Sequence, residues 1–192
     1  MDKYSSISEL ASKEQLDRDY RIFIEQRAGS SITIVAPHGG MIEPGTSEIA
    51  KAIAGLEMNC YCFEGIKQSG NYAALHVASH RFDDKSCLDL LVRSRTVITV
   101  HGCIGDIEAV YLGGLEVQLI ARLMQAFREA KIPAYSDGHD FPGVDRMNVC
   151  NRGMTGKGAQ LEITRAFRKG PRVNNLVSEV RQVLLASTNA GQ

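Results

Sequence analysis

Two β-branched runs, "ITIVA" at 32–36 and "TVITV" at 96–100, are each closed by a histidine followed by glycine, as "PHGG" and "HG". Short runs of this kind, bounded by turn residues, read as strands of a buried sheet. Segments with apolar residues at helical intervals lie between and after them: "TSEIAKAIAGL" from Thr46, "DKSCLDLLVRS" from Asp84 and "LEVQLIARLMQAFREA" from Leu115. A closing helix is predicted over about 172–187, with Pro171 near its first turn, and Thr46 or Ser47 is expected to cap the helix that follows "PHGG". "ISELASKEQL" has helical spacing, and further strands are predicted at "YRIFIEQ", "CYCFEGI", "EAVYLGG", "IPAYSDG" and "GAQLEIT", with "ALHVAS" also strand-like. Strands separated by helices of this length imply a three-layer α/β sandwich with a mixed central sheet. At 192 residues the chain suits one domain over 1–192, without internal repeat or linker.

Such sheets carry their sites beyond the carboxyl ends of the strands, and this rule selects among the histidines. His38 follows "ITIVAP" and His101 follows "TVITV", while Glu43 shares a loop with His38. Two imidazoles and a carboxylate form the ligand set of a catalytic zinc site, with a fourth position for water. A separation of five residues is not that of one helical face, so a turn must bring His38 and Glu43 together. Gly39 and Gly40 permit it, and Pro44 stiffens its exit. Glu48 is the rival acid, although a place in the predicted helix suits it to supporting the first turn there. Glu162, alone in the apolar strand "AQLEIT", is the candidate general base; the alternative is a glutamate facing solvent, since alternation puts Gln160, Glu162 and Thr164 on one face in either case.

Composition excludes several other classes. No apolar run approaches the length needed to span a bilayer. Five scattered cysteines without a C-x-x-C pair argue against a disulfide framework or a thiolate zinc site. "MDKYSSISELASKEQ" lacks the apolar segment of a secretory signal, so a cytoplasmic location is expected. Formal net charge is zero, yet Arg146 to Arg172 contains seven basic residues and one acid, Glu162, a local balance of +6. That segment forms either a basic cleft or a set of scattered solvated side chains. Its one aromatic, Phe167, is poor material for stacking single-stranded nucleic acid, so no nucleic-acid partner is expected. A monomer is expected from the lack of an apolar stripe or coiled coil.

The fragments "APHGGMIEPGTSEIA", "FEGIKQSGNYAALHVAS", "TVHGC", "NVCNRG" and "GKGAQLEITRAFR" together resemble the poly-γ-glutamate hydrolase family of bacteriophages and bacilli, in order over about residues 18–170. The resemblance implies a metallocarboxypeptidase-like fold and hydrolysis of γ-glutamyl amide bonds. It also implies one Zn2+ held by His38, Glu43 and His101, with Glu162 as general base. Arg81 is the expected polarising arginine, because metallocarboxypeptidases draw one from the interval between the second and third ligands; the alternative is a surface arginine paired with Asp83 or Asp84. Each unit of the polymer carries a free α-carboxylate, and a guanidinium matches a carboxylate with a planar fork, so Arg152 and Arg165 are expected to bind this polyanionic substrate. His139 is expected to line the cleft. His76 and His80 are expected to be structural or to touch substrate. For a phage-derived enzyme, release at host lysis would give access to an extracellular polymer. The alternatives are a zinc amidase or carboxypeptidase with another substrate, and a non-enzymatic protein that binds anions or nucleic acid.

Overall fold

Alternation along the central strands divides their side chains between two apolar cores, one on each face of the sheet. Ile34 and Ala36, Cys60 and Cys62, and Ile98 and Val100 enter one core; Val35, Tyr61, Phe63 and Val97 enter the other. A sheet buried on both faces needs helices on both, and the computed structural model, which describes residues 2–189, has this three-layer form. In chain order the elements are α1 (Ile7–Ala11), β1 (Tyr20–Glu25), β2 (Ile32–Gly40), α2 (Thr46–Ala54), β3 (Asn59–Gly65), α3 (Asn71–Leu75), α4 (Lys85–Leu91) and β4 (Thr96–Cys103). There follow β5 (Val110–Gly114), α5 (Val117–Glu129), β6 (Ala134–Tyr135), β7 (Ala159–Thr164), α6 (Arg165–Lys169) and α7 (Val173–Asn189). Helices α2, α5 and α7 supply Ile49, Ile53, Leu119, Leu123, Phe127, Leu176, Val180 and Leu184 to the first core. Helices α1, α3 and α4 supply Ile7, Leu10, Leu75, Leu90 and Leu91 to the second. No described helix is long and apolar enough to cross a membrane.

The seven strands lie in the order β1-β3-β2-β4-β7-β5-β6. β3, β2, β4 and β7 are parallel, whereas β1 and β5 run antiparallel to β3 and β7, so the sheet is mixed as expected. From β2 the chain leaves through α2 to reach β3 on one side, and β4 lies on the other side of β2. Neighbouring strands whose connections diverge leave a crevice at their carboxyl ends. His38 and His101 sit at that point.

Several local expectations are corrected. "ALHVAS" is no strand: α3 ends at Leu75, His76 is extended, and a 3-10 turn covers Ser79–Arg81. β3 already has a partner on each side, so no sheet edge there remains to receive such a strand. Gly45, with φ +96°, precedes α2 in place of a side-chain cap; Thr46 and Ser47 lie inside the helix and bond backward to the loop. "IPAYSDG" contributes only two residues to β6, at the sheet's edge. All five cysteines are free; four are buried and Cys103 is partly exposed.

Candidate metal and catalytic site

A fault in β2 decides where His38 points. The pairing of β2 with β3 slips by one residue between Ala36 and Gly39, a bulge that reverses the alternation of side chains. Gly39 then faces α2, so closely that a Cβ there would lie 2.1 Å from Ser47 Oγ. His38 turns to the opposite face, where His101 of β4 and Glu162 of β7 also lie. His101 and Glu162 are direct neighbours in the β4–β7 register.

Beyond His38 the chain folds back tightly. The Glu43 N–H donates to the His38 carbonyl at 2.9 Å, and the Thr46 hydroxyl donates to the Glu43 carbonyl at 2.9 Å. Gly40 occupies φ +61° in this turn, with Gly65 O 2.5 Å from where its Cβ would stand. The turn carries Glu43 under the strand ends, where its Oε2 accepts the Gly102 N–H at 2.7 Å.

The resulting contacts have a definite chemistry. His38 Nε2 lies 2.8 Å from the Val77 carbonyl, which can only accept, so Nε2 carries the proton of a neutral His38 ring. Nδ1 then presents a lone pair, yet it faces Glu43 Oε1 at 3.1 Å and His101 Nδ1 at 3.2 Å. His101 Nδ1 is in turn 3.9 Å from Glu43 Oε2. The lone pair of His38 Nδ1 facing the Glu43 carboxylate in a buried place requires a cation between them, either a proton or a metal ion. Ligands about 2 Å from a tetrahedral zinc stand roughly 3.3 Å from one another, which these spacings approach. The far nitrogens are also held as metal-bound histidines usually are: His38 Nε2 by Val77, and His101 Nε2 by Ser79 Oγ at 3.3 Å. The donor set therefore fits zinc.

Proton equilibria tell the same story. Burial opposes ionisation of Glu43, but the charge and hydrogen bond of His38, with His101 and the Gly102 N–H, hold its carboxyl down at about 2. Burial and the neighbouring His38 push His101 down to about 3. Burial also opposes the charging of His38, yet Glu43 and the Val77 carbonyl outweigh it and raise its pKa. Without a metal, His38 takes the proton that balances Glu43.

A fourth side chain approaches from the residue that follows α3. His76 stacks on His38 with ring centroids 4.1 Å apart, and its Nε2 is 4.0 Å from Glu43 Oε1. Its Nδ1 is held by Asp2 Oδ1 at 2.8 Å. One ligand atom each from His38, Glu43 and His76 falls within 4.8 Å of the others. His38 and Glu43 are thus common to two possible triads. His101 Nδ1 lies 3.2 Å from His38 Nδ1 and 3.9 Å from Glu43 Oε2, against 4.0 Å from His76 Nε2 to Glu43 Oε1.

These groups form one end of a cleft of about 950 Å3 that also takes in Glu162, Arg165, Arg168, Gln160 and the loop 140–145. Burial, followed by the nearby charge of Glu43, raises the Glu162 carboxyl to about 8, against the lowering influence of His38 and Arg168. Gln160 fixes the loop over the site, donating to the Phe141 carbonyl at 3.2 Å and accepting from Asn148 at 2.9 Å.

The other residues named from sequence lie as follows. Arg165 lines the cleft but is exposed and paired with Asp106. Arg81 is exposed, absent from the cleft lining, and turned toward His80 at 3.3 Å rather than toward Asp83 or Asp84. Asp84 instead caps α4, and Asp83 accepts the Ser8 N–H. Arg152 lies outside the cleft and donates to the Phe82 carbonyl at 2.9 Å, which ties the 149–151 turn to the segment before α4. His139 also stands behind the lining: its ring bonds the Leu112 carbonyl and the Phe141 N–H and packs on Tyr111. Glu48 remains on α2. Two lining residues gain a sharper place than their sequence context implied: Arg168, which stood only in the basic segment, and His76, expected to be structural or to touch substrate and held here by Asp2. The R-x-x-R spacing after "QLEIT" was available for the first; nothing local announces a bond spanning 74 residues for the second.

Known proteins share both sequence and fold. YndL of Bacillus subtilis (strain 168), a UPF0714 protein, is 34% identical over 170 residues, which cover 88% of this chain and 66% of YndL. The chain spans 61 to 71% of the length of the three curated relatives it matches. The structure of a bacteriophage poly-γ-glutamate hydrolase superposes with a TM-score of 0.93 at 25% identity, over 99% of this chain and all of the other. The apo, zinc-free structure of YndL gives 0.90 at 29% identity, over 97% and 99% of the two chains. The family model described as poly-gamma-glutamate hydrolase matches residues 4–181, and the chain belongs to that family.

Proposed function

We propose that the chain is a zinc-dependent hydrolase of γ-glutamyl amide bonds in poly-γ-glutamate. The observation that carries this reading is the convergence of His38 Nδ1, Glu43 and His101 Nδ1 beside Glu162, at the carboxyl ends of parallel strands. Family membership and the zinc-free description of the YndL structure support the substrate and the metal. His38, Glu43 and His101 would hold the ion, with His76 packed against them. Zinc bound there would polarise the scissile carbonyl and make water more acidic.

The chain's own residues supply the rest. Glu162 takes a proton from the attacking water and returns it to the departing amine. Burial raises its proton affinity above that of a free carboxylate, which favours taking the proton. Val77 and Ser79 hold the imidazoles in one tautomer and orientation, and the Gly102 N–H fixes the carboxylate of Glu43. Gln160 and Asn148 hold the loop that walls the cleft, so a bound chain meets a preformed surface.

Metal analysis of the purified protein, followed by sizing of poly-γ-glutamate after incubation, tests the proposal. About one zinc per chain and a shortened polymer are expected. An undiminished polymer length with zinc bound would remove the substrate assignment, and full activity after exhaustive chelation would remove the metal.

A further inference from the structure

Most arginines in this structure that form ion pairs find them on the chain itself: Arg18 with Asp19, Arg21 with Glu64, Arg165 with Asp106, Arg172 with Glu108 and Arg181 with Glu57. Arg168 is different. It is partly buried, lines the cleft, and has no carboxylate within 4.0 Å among the described residues. Backbone carbonyls hold it instead. Nε donates to Pro44 at 2.8 Å, and Nη1 donates to Cys103 at 3.1 Å and to Ile163. Pro44 follows Glu43, Cys103 lies two residues after His101, and Ile163 follows Glu162, so one guanidinium is clamped among the three segments that carry the site. Gly102 makes room for it: a Cβ there would stand 2.5 Å from the Arg168 Cζ. Nη2 has no acceptor among the described residues.

A partly buried cation held in a fixed orientation without a paired carboxylate, with Glu43 and Glu162 acting on it only from a distance, is costly to maintain. Three carbonyl dipoles offset part of that cost and leave only the N–H donors of Nη2 unused. Asp140 and Asp145 also line the cleft, and their charge disfavours an anion on their side of it. We propose that Arg168 is the specificity residue of the site, and that its Nη2 edge binds the α-carboxylate of a γ-glutamyl unit next to the scissile bond. The inference rests on the γ-glutamyl reading above and moves carboxylate recognition from Arg152, which lies outside the cleft, to a residue built into its wall. Arg165, exposed and already paired, makes the lesser contribution.

The test compares a γ-linked glutamate oligomer with the same oligomer bearing α-carboxamides, which keeps shape and removes charge. The wild-type protein is expected to favour the carboxylate form in kcat/KM by on the order of 100-fold. In Arg168→Gln that preference should collapse toward unity, through loss on the carboxylate form alone, with zinc content retained. Arg168→Lys keeps the charge without the fork and should give an intermediate ratio; it serves as the readout if the glutamine variant does not fold. An unchanged ratio, with both substrates slowed equally, assigns Arg168 a purely structural role and overturns the inference. Binding of both oligomers to Glu162→Gln protein, with and without Arg168→Gln, separates the two levels. If the wild type cleaves neither oligomer while binding discrimination depends on Arg168, the hydrolase reading falls and this one stands. If discrimination in binding ignores Arg168, this one falls.

Discussion

Replacing Glu162 by glutamine should abolish turnover and make the zinc-stripped protein more stable in alkali, a combination that a purely structural glutamate would not give. The folded carboxyl has a pKa of about 8 against an ordinary 4.5, first from burial and then from Glu43. The sign follows directly. Between pH 4.5 and 8 the folded state keeps a proton that the unfolded chain has released, so stability falls as pH rises through this window and levels off above it. At 1.36 kcal/mol per unit, the full difference is an upper limit of about 5 kcal/mol. Glu162 borders the open cleft, where water screens its charge, so a loss of about 3 kcal/mol is the working expectation. Glutamine keeps the shape without the ionisation. Wild type and variant should therefore melt alike near pH 4.5, whereas at pH 9 the variant should melt roughly 6 to 12 °C higher. Groups common to both proteins, His38 and Glu43 among them, cancel to first order in the difference. The assay is thermal unfolding after exhaustive chelation at the two pH values, with activity and zinc content measured on reloaded samples. Parallel pH dependences, or a less stable variant at pH 9, would refute the burial argument. Zinc-loaded variant turning over at wild-type rate would refute the assignment of the base.

Three further perturbations probe the frame around that carboxylate. His101→Ala should reduce zinc affinity by at least about 100-fold while His76→Ala retains near-stoichiometric metal; the reverse result, read by equilibrium dialysis, would exchange their places in the ligand set. Gly39→Ala forces a Cβ to within 2.1 Å of Ser47 Oγ and 3.0 Å of the Phe63 carbonyl, so a loss of about 1–3 kcal/mol is expected in denaturant unfolding, and a neutral result would mean that the bulge relaxes without cost. Arg152→Ala loses the bond to the Phe82 carbonyl and should cost about 1–2 kcal/mol in stability with KM little changed; a KM rise without destabilisation would return Arg152 to substrate binding.

The layers of this fold were legible because each obeys a local rule. β-branched runs gave the buried strands, helical spacing gave the covering helices, and strand ends gave His38, His101 and the loop with Glu43. Other features belong to tertiary structure and have no local signature. "ALHVAS" has strand composition, but a strand exists only where a sheet edge can receive it, and both sides of β3 are taken. Arg152 and Arg168 are alike as residues in a basic segment; one is directed to the Phe82 carbonyl and the other to the cleft by which carbonyls surround them. The alternation of β2 is the sharpest case. Counting outward from Ile34 and Ala36 would send His38 into the core with α2, where a histidine beside Glu43 could meet neither His101 nor Glu162. The one-residue slip between Ala36 and Gly39 reverses that count, and "PHGG" permits it: Pro37 gives up a ladder donor, while Gly39 and Gly40 accept close backbone approach and a positive φ. The glycines that read first as freedom for a turn are therefore also what lets a strand put its last histidine on the face where the other groups of the site are waiting.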